Sequence, residues 1–243
     1  MCGRFTLVPG GAERVLEHFE VRGPAPEVRW NLAPSQQTGV VRGGDDGREL
    51  VPMRWGLVPA WSKNAADVRA PINARSETVA EKASFRAAFA RRRCLVPASG
   101  WYEWEKPPVE SSRPKGVKAP PKQPWLLWVD GAGDPDGASL FAMAGIWERW
   151  SSGEAENGAS IETFAILTAA AREEVTAIHP RMPVVLRPDE YDSWLNPGTD
   201  AAELARLLVP TGRPVLHARP VSTLVNNARH EAPDCIRPGE GLF

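Results

Sequence analysis

The second residue of the chain is a cysteine that follows a lone methionine. Met1 precedes a small side chain, so its removal is expected. The terminus that remains would hold an α-amine and a thiol on one residue. Their ordinary pKa values lie near ~8 and ~8.5, so neither is fully protonated at neutral pH. An amine condenses with an aldehyde to an imine. A thiol one carbon away then closes onto the imine as a five-membered thiazolidine. That closure is intramolecular and gains from effective molarity. Taken alone, Cys2 is better read as an ordinary residue near a frayed end; the rest of the chain has to decide.

The elements that would position such a group are short. Residues 12–19 place Ala12, Val15, Leu16 and Phe19 on one helical face. Val51, Met53, Trp55 and Leu57 alternate as a strand. A short helix around Phe85–Phe89 leads into strand-like runs at 94–98 and 101–105. Strand patterns resume at 125–129, 140–147, 161–168 and 184–186, with helical patterns at 171–178, 188–195 and 201–208. Residues 106–124 are rich in Pro, Lys and Ser and read as an exposed, flexible insertion between strands. A second weak loop spans 151–160. The expectation is an α+β single domain over 1–243, mainly an antiparallel sheet or barrel-like core with several short helices.

Composition narrows the function classes. The 24 prolines among 243 residues demand turns and short elements. A net charge of -1 argues against coating nucleic acid by bulk charge, though not against a local basic groove. The three cysteines, Cys2, Cys94 and Cys235, form no C-x-x-C pair, so neither a cysteine zinc cage nor a disulfide framework is expected. No metal or cofactor is called for. The N-terminus has no apolar secretory core and no run approaches a membrane span of about 20 residues, so a cytoplasmic protein is expected.

Several segments then form an ordered set. They are Cys2-Gly3-Arg4, Asn31-Leu32-Ala33-Pro34, and Arg54-Trp55-Gly56-Leu57-Val58-Pro59 with Trp61. Next come the run from Ile72 to Thr78, Arg93-Cys94-Leu95-Val96-Pro97, and Gly100-Trp101-Tyr102-Glu103-Trp104. Ala144 to Glu148, Ile178 to Pro183, and Val221-Ser222 with Val225-Asn226 complete it. In number and order these resemble the SOS-response-associated peptidase (SRAP) family, over nearly the whole chain from Cys2 to about Cys235.

The resemblance implies covalent crosslinking, through a Cys2 freed of Met1, to abasic sites in single-stranded DNA, including junctions with duplex. Lyase-type and autoproteolytic activities come with it. Asn73 matches the family's asparagine that holds the cysteine; a neutral amide can both donate and accept. Glu103 matches the catalytic glutamate. Its neighbours Tyr102 and Trp104 would raise its pKa by desolvation, which suits proton shuttling. His179 matches the catalytic histidine, and imidazole titrates near ~6.5. Arg4, Arg75 and Arg181 match phosphate-gripping positions. Trp61 and Trp104 are expected to stack on bases, and Pro34 to line the DNA path. A monomer is expected. The runs Arg91–Arg93 and Lys115–Lys122 are read as solvated surface. Two other readings stay open: an N-terminal thiol peptidase built on Cys2, His179 and Asn73, and a non-catalytic reader of modified bases.

Overall fold

The computed structural model describes residues 2–65, 69–105, 122–129, 139–152, 160–209 and 214–239. In chain order the strands are β1 (Phe5–Leu7), β2 (Arg29–Leu32), β3 (Gln37–Gly44), β4 (Gly47–Trp55), β5 (Asn73–Arg75), β6 (Arg93–Ala98), β7 (Gly100–Trp104) and β8 (Pro124–Val129). They continue as β9 (Phe141–Ser151), β10 (Ser160–Ala170), β11 (Arg181–Pro183), β12 (Val185–Leu186) and β13 (Leu216–Pro220). The helices are α1 (Pro9–His18), α2 (Arg86–Arg91), α3 (Glu173–Thr176), α4 (Tyr191–Leu195) and α5 (Ala201–Leu207).

β3 and β4 pair antiparallel in unbroken register from Gln37 opposite Arg54 to Gly44 opposite Gly47. β6 joins β3 at Leu95 and Cys94, β9 joins β6, and β10 joins β9. A parallel pairing of Phe164 with Trp55 brings β10 back to β4. The strands β3, β4, β10, β9 and β6 thus close into a barrel, which leaves no open edge in the ring. On β9 and β10, Ala144, Ile146, Ala165 and Leu167 pack outward against Val15 and Phe19 of α1 and Trp194 of α4. The alternate residues Met143, Phe164 and Ile166 cluster inward with Val40, Met53, Cys94 and Val96, as a period of two requires.

A second sheet has the order β13-β8-β7-β1-β2. It meets the inner cluster through Phe5, whose ring lies edge-on to Trp55 at 5.2 Å, and through Trp101. The result is the α+β, mainly antiparallel architecture expected from the pattern. β10 outlasts the barrel. Its residues Ile166–Thr168 pair with β5, and Thr168–Ala170 pair with β11. One long strand therefore holds two three-residue strands against the rim.

Some boundaries differ from the periodic reading. β4 ends at Trp55 because Gly56 takes φ 122°, a left-handed turn that leads into Leu57 and Val58. Of 171–178 only Glu173–Thr176 is α-helical, and Pro188–Glu190 is a 3₁₀ turn ahead of α4. Residues 106–121 of the expected insertion lie outside the described residues. Its end is tied down: Gln123 Nε2 donates to the Val221 carbonyl at 2.9 Å, and Pro124 opens β8.

Arg93 corrects the surface reading of its run. It is 2% exposed, and its guanidinium donates to the carbonyls of Phe89, Ala90, Trp194 and Asn196 at the ends of α2 and α4. Helix C-termini carry unsatisfied carbonyls and partial negative charge, so a cation buried there is compensated.

Candidate active site at the junction of barrel and sheet

Cys2 is buried, not frayed. Tyr102 N–H donates to the Arg4 carbonyl at 2.9 Å and Phe5 pairs with Trp101, which lays residues 2–4 along β7. From the barrel side, Asn73 Nδ2 donates to the Cys2 carbonyl at 2.7 Å. β10 fixes that asparagine by pairing Ile166 with it. Asn73 Oδ1 is buried and accepts no hydrogen bond among the described residues. Such an unsatisfied acceptor costs roughly 1–3 kcal/mol.

Glu103 lies on β7, 3% exposed, opposite Trp125 of β8. Burial pushes its carboxyl up to about 7, and the positive chain terminus works in the opposite direction. The Cys2 thiol is pushed well above its ordinary range, first by burial and then by the neighbouring Glu103 charge. Its Sγ faces the Arg4 carbonyl at 3.9 Å. The site thus holds a thiol kept protonated by burial and by the charge of a carboxyl that is itself raised to about 7. A thiolate activated for peptidase chemistry would need a depressed pKa instead.

His179 precedes β11. Its Nδ1 lies 3.9 Å from Glu103 Oε1 and 3.0 Å from both the N–H and the carbonyl of Arg181. The neutral ring can accept from that N–H and the protonated ring can donate to that carbonyl. The anchor therefore holds the imidazole in either state. Four groups far apart in sequence, Cys2, Asn73, Glu103 and His179, converge where the two sheets meet.

Of the expected DNA contacts, Arg75 and Arg181 share the end of β10 that holds Asn73, while the segment of Trp61 lies beside Trp150, opposite the start of β10. Arg4 is tied to Asn31 Oδ1 at 2.8 Å and the Val225 carbonyl at 3.0 Å, and stands 6.0 Å from the Trp104 ring. Trp104 is half-buried and bonded to Asn226. Arg181 is engaged by Glu77 in a two-pronged ion pair. Arg75 is exposed, and Trp61 stands 69% exposed beyond β4. Pro34 is half-buried at a turn closed by Ser35 N–H on the Trp55 carbonyl at 2.8 Å.

Motif reading left several supporting groups unassigned. Asn31 Nδ2 gathers the carbonyls of Val225, Asn227 and His230, and so fixes the segment that holds Arg4. Glu77 and Trp125 are the others. Asn31 and Glu77 sat inside quoted motifs, the one available signal. Among the described residues, His230, Asp234 and Cys235 bring potential metal-ligand atoms within 4.8 Å of one another. His230 Nε2 and Asp234 Oδ1 already bond to each other at 2.6 Å, and burial pushes the Cys235 thiol up. The trio is a staple for the C-terminal turn.

A closed five-stranded barrel joined to a second sheet, with an N-terminal thiol, an amide, a carboxyl and an imidazole at the joint, defines a distinct class of protein. A family model for SOS response associated peptidase (SRAP) matches residues 1–228, and the chain belongs to that family. It is 34% identical over 241 residues to abasic site processing protein YoqW of Bacillus subtilis (strain 168), covering 97% of this chain and 99% of that one. It is 33% identical over 219 residues to abasic site processing protein HMCES of Mus musculus, covering 80% of this chain and 58% of that one. A solved structure of a Bacteroides thetaiotaomicron protein shares the fold, with a TM-score of 0.73 at 24% identity over 95% of this chain and 96% of that one.

Proposed function

We propose that this protein processes abasic sites in single-stranded DNA, including those at junctions with duplex, by covalent capture through Cys2, and that it acts as a monomer. Hydrolysis of the Met1–Cys2 bond frees the α-amine. The amine adds to the C1′ aldehyde of the ring-opened sugar, and loss of water gives the imine. The thiol then adds across the C=N bond: sulfur bonds to carbon and the thiol proton ends on nitrogen. One water is released per crosslink. Glu103, at about 7, carries the protons between these steps. Asn73 holds the Cys2 carbonyl, so amine and thiol are presented in one orientation. His179 assists removal of Met1 and hydrolysis of the imine, the step that makes capture reversible. Arg4, Arg75 and Arg181 hold phosphates, and Trp61, Trp104 and Pro34 receive the unstacked bases.

The observation that carries this reading is the buried Cys2 clamped by Asn73 beside a carboxyl tuned to neutrality. The names of the relatives, abasic site processing proteins, agree with it. The test is adduct formation with an oligonucleotide that carries one abasic site, read on a denaturing gel. Wild type should give a heat-stable band without reductant. Cys2→Ala, which keeps the amine, should give a band only when borohydride traps the imine. A heat-stable band from Cys2→Ala without reductant would overturn the mechanism.

A further inference from the structure

Arg181 already holds a carboxylate in the geometry a guanidinium uses for phosphate. Its two terminal nitrogens donate to the two oxygens of Glu77, NH2 to Oε2 at 2.9 Å. NH2 also donates to the Thr168 carbonyl and reaches Thr168 Oγ1 at 3.3 Å. The partners differ in freedom: the Arg181 side chain is 16% exposed and that of Glu77 is 50% exposed. Glu77 can swing into water while the guanidinium stays anchored to β10. Arg181 Nε is buried and has no acceptor among the described residues, so the present pairing leaves a donor unused. The pair also borders the reactive centre. Glu77 follows the strand of Asn73, and Arg181 holds His179 through its backbone.

We propose that Glu77 is a resident stand-in for a DNA backbone phosphate, which keeps the Arg181 subsite occupied until a phosphate of single-stranded DNA displaces it. This rests on the reading that single-stranded DNA is the substrate. Phosphate and carboxylate compete for one bidentate donor set. The exchange gives little net gain on DNA without a lesion, where no covalent bond follows. Glu77 thereby lowers non-productive binding at the price of one ion pair.

The test is reversible binding of an undamaged, fluorescently labelled single-stranded oligonucleotide across a salt series. Wild type, Glu77→Gln, Arg181→Gln and the double variant are compared. Glu77 lies on an exposed turn and Gln keeps its volume, so the fold should survive. Glu77→Gln should bind several-fold tighter at low salt. The slope of log K against log salt should steepen by about 0.7, the increment for one more neutralised phosphate on a single strand. Arg181→Gln should weaken binding, and the gain from Glu77→Gln should vanish in the Arg181→Gln background. Unchanged or weaker binding by Glu77→Gln, or an equal gain in both backgrounds, overturns the stand-in role alone. A wild-type protein that binds no single-stranded DNA at any salt overturns this proposal together with the reading beneath it.

Discussion

A carboxyl pushed up to about 7 is half ionised near neutral pH, and that is the property the chemistry proposed at Cys2 needs. The same property costs stability. The folded value lies above the ordinary ~4.3, so the folded state binds the extra proton between the two values. The contribution of Glu103 is full below ~4.3 and is lost as pH rises through about 7. Glu103→Gln should therefore raise the unfolding free energy at pH 8 by on the order of 3 kcal/mol, and the gain should shrink towards zero near pH 4. Denaturant titrations at the two pH values check this. Crosslinking by Glu103→Gln should fall by ~10²–10⁴-fold, and its rate should lack the step near pH 7 expected of wild type. At this scale the motifs singled out Cys2, Asn73, Glu103 and His179, and the fold brings these four together. Arg93 was misread as surface because nothing local announces that its four acceptors belong to two helices, one of them a hundred residues away.

β10 is the element on which the site depends. It closes the barrel with its first half and carries β5 and β11 with its second. Its apolar run was legible as a strand, but its partners were not. β5 and β11 have three residues each, too few for any alternation to show, and they exist because β10 offers them a ladder. Gly56 is the other element-level control, since it turns the chain out of β4 at φ 122° with Ala70 Cβ 3.3 Å from where its own Cβ would sit. Gly56→Ala should cost roughly 1–3 kcal/mol, read as a lowered urea midpoint. Arg93→Met should cost about 3 kcal/mol or more, because four helix-end carbonyls lose a charged donor together. A thermal melt that leaves Arg93→Met as stable as wild type would contradict that role.

At the scale of the molecule, proline content and short alternating runs were enough to predict an α+β protein with a sheet or barrel core. They could not predict that the ring closes through a parallel contact between Phe164 and Trp55, because closure joins segments more than a hundred residues apart and leaves no local trace. That closure is what sets the barrel's inner cluster against the second sheet and creates the joint where Cys2 lies. The net charge of -1 argues against a hold on DNA by bulk attraction and accords with the covalent capture proposed above. The most direct measurement is the intact mass of the protein after incubation with a single-stranded oligonucleotide carrying one abasic site. Wild type, Cys2→Ala and a form with Met1 retained by a blocking group would be compared. The account predicts that wild type alone gains the mass of the oligonucleotide less one water. No adduct, or the same stable adduct from all three proteins, would contradict it.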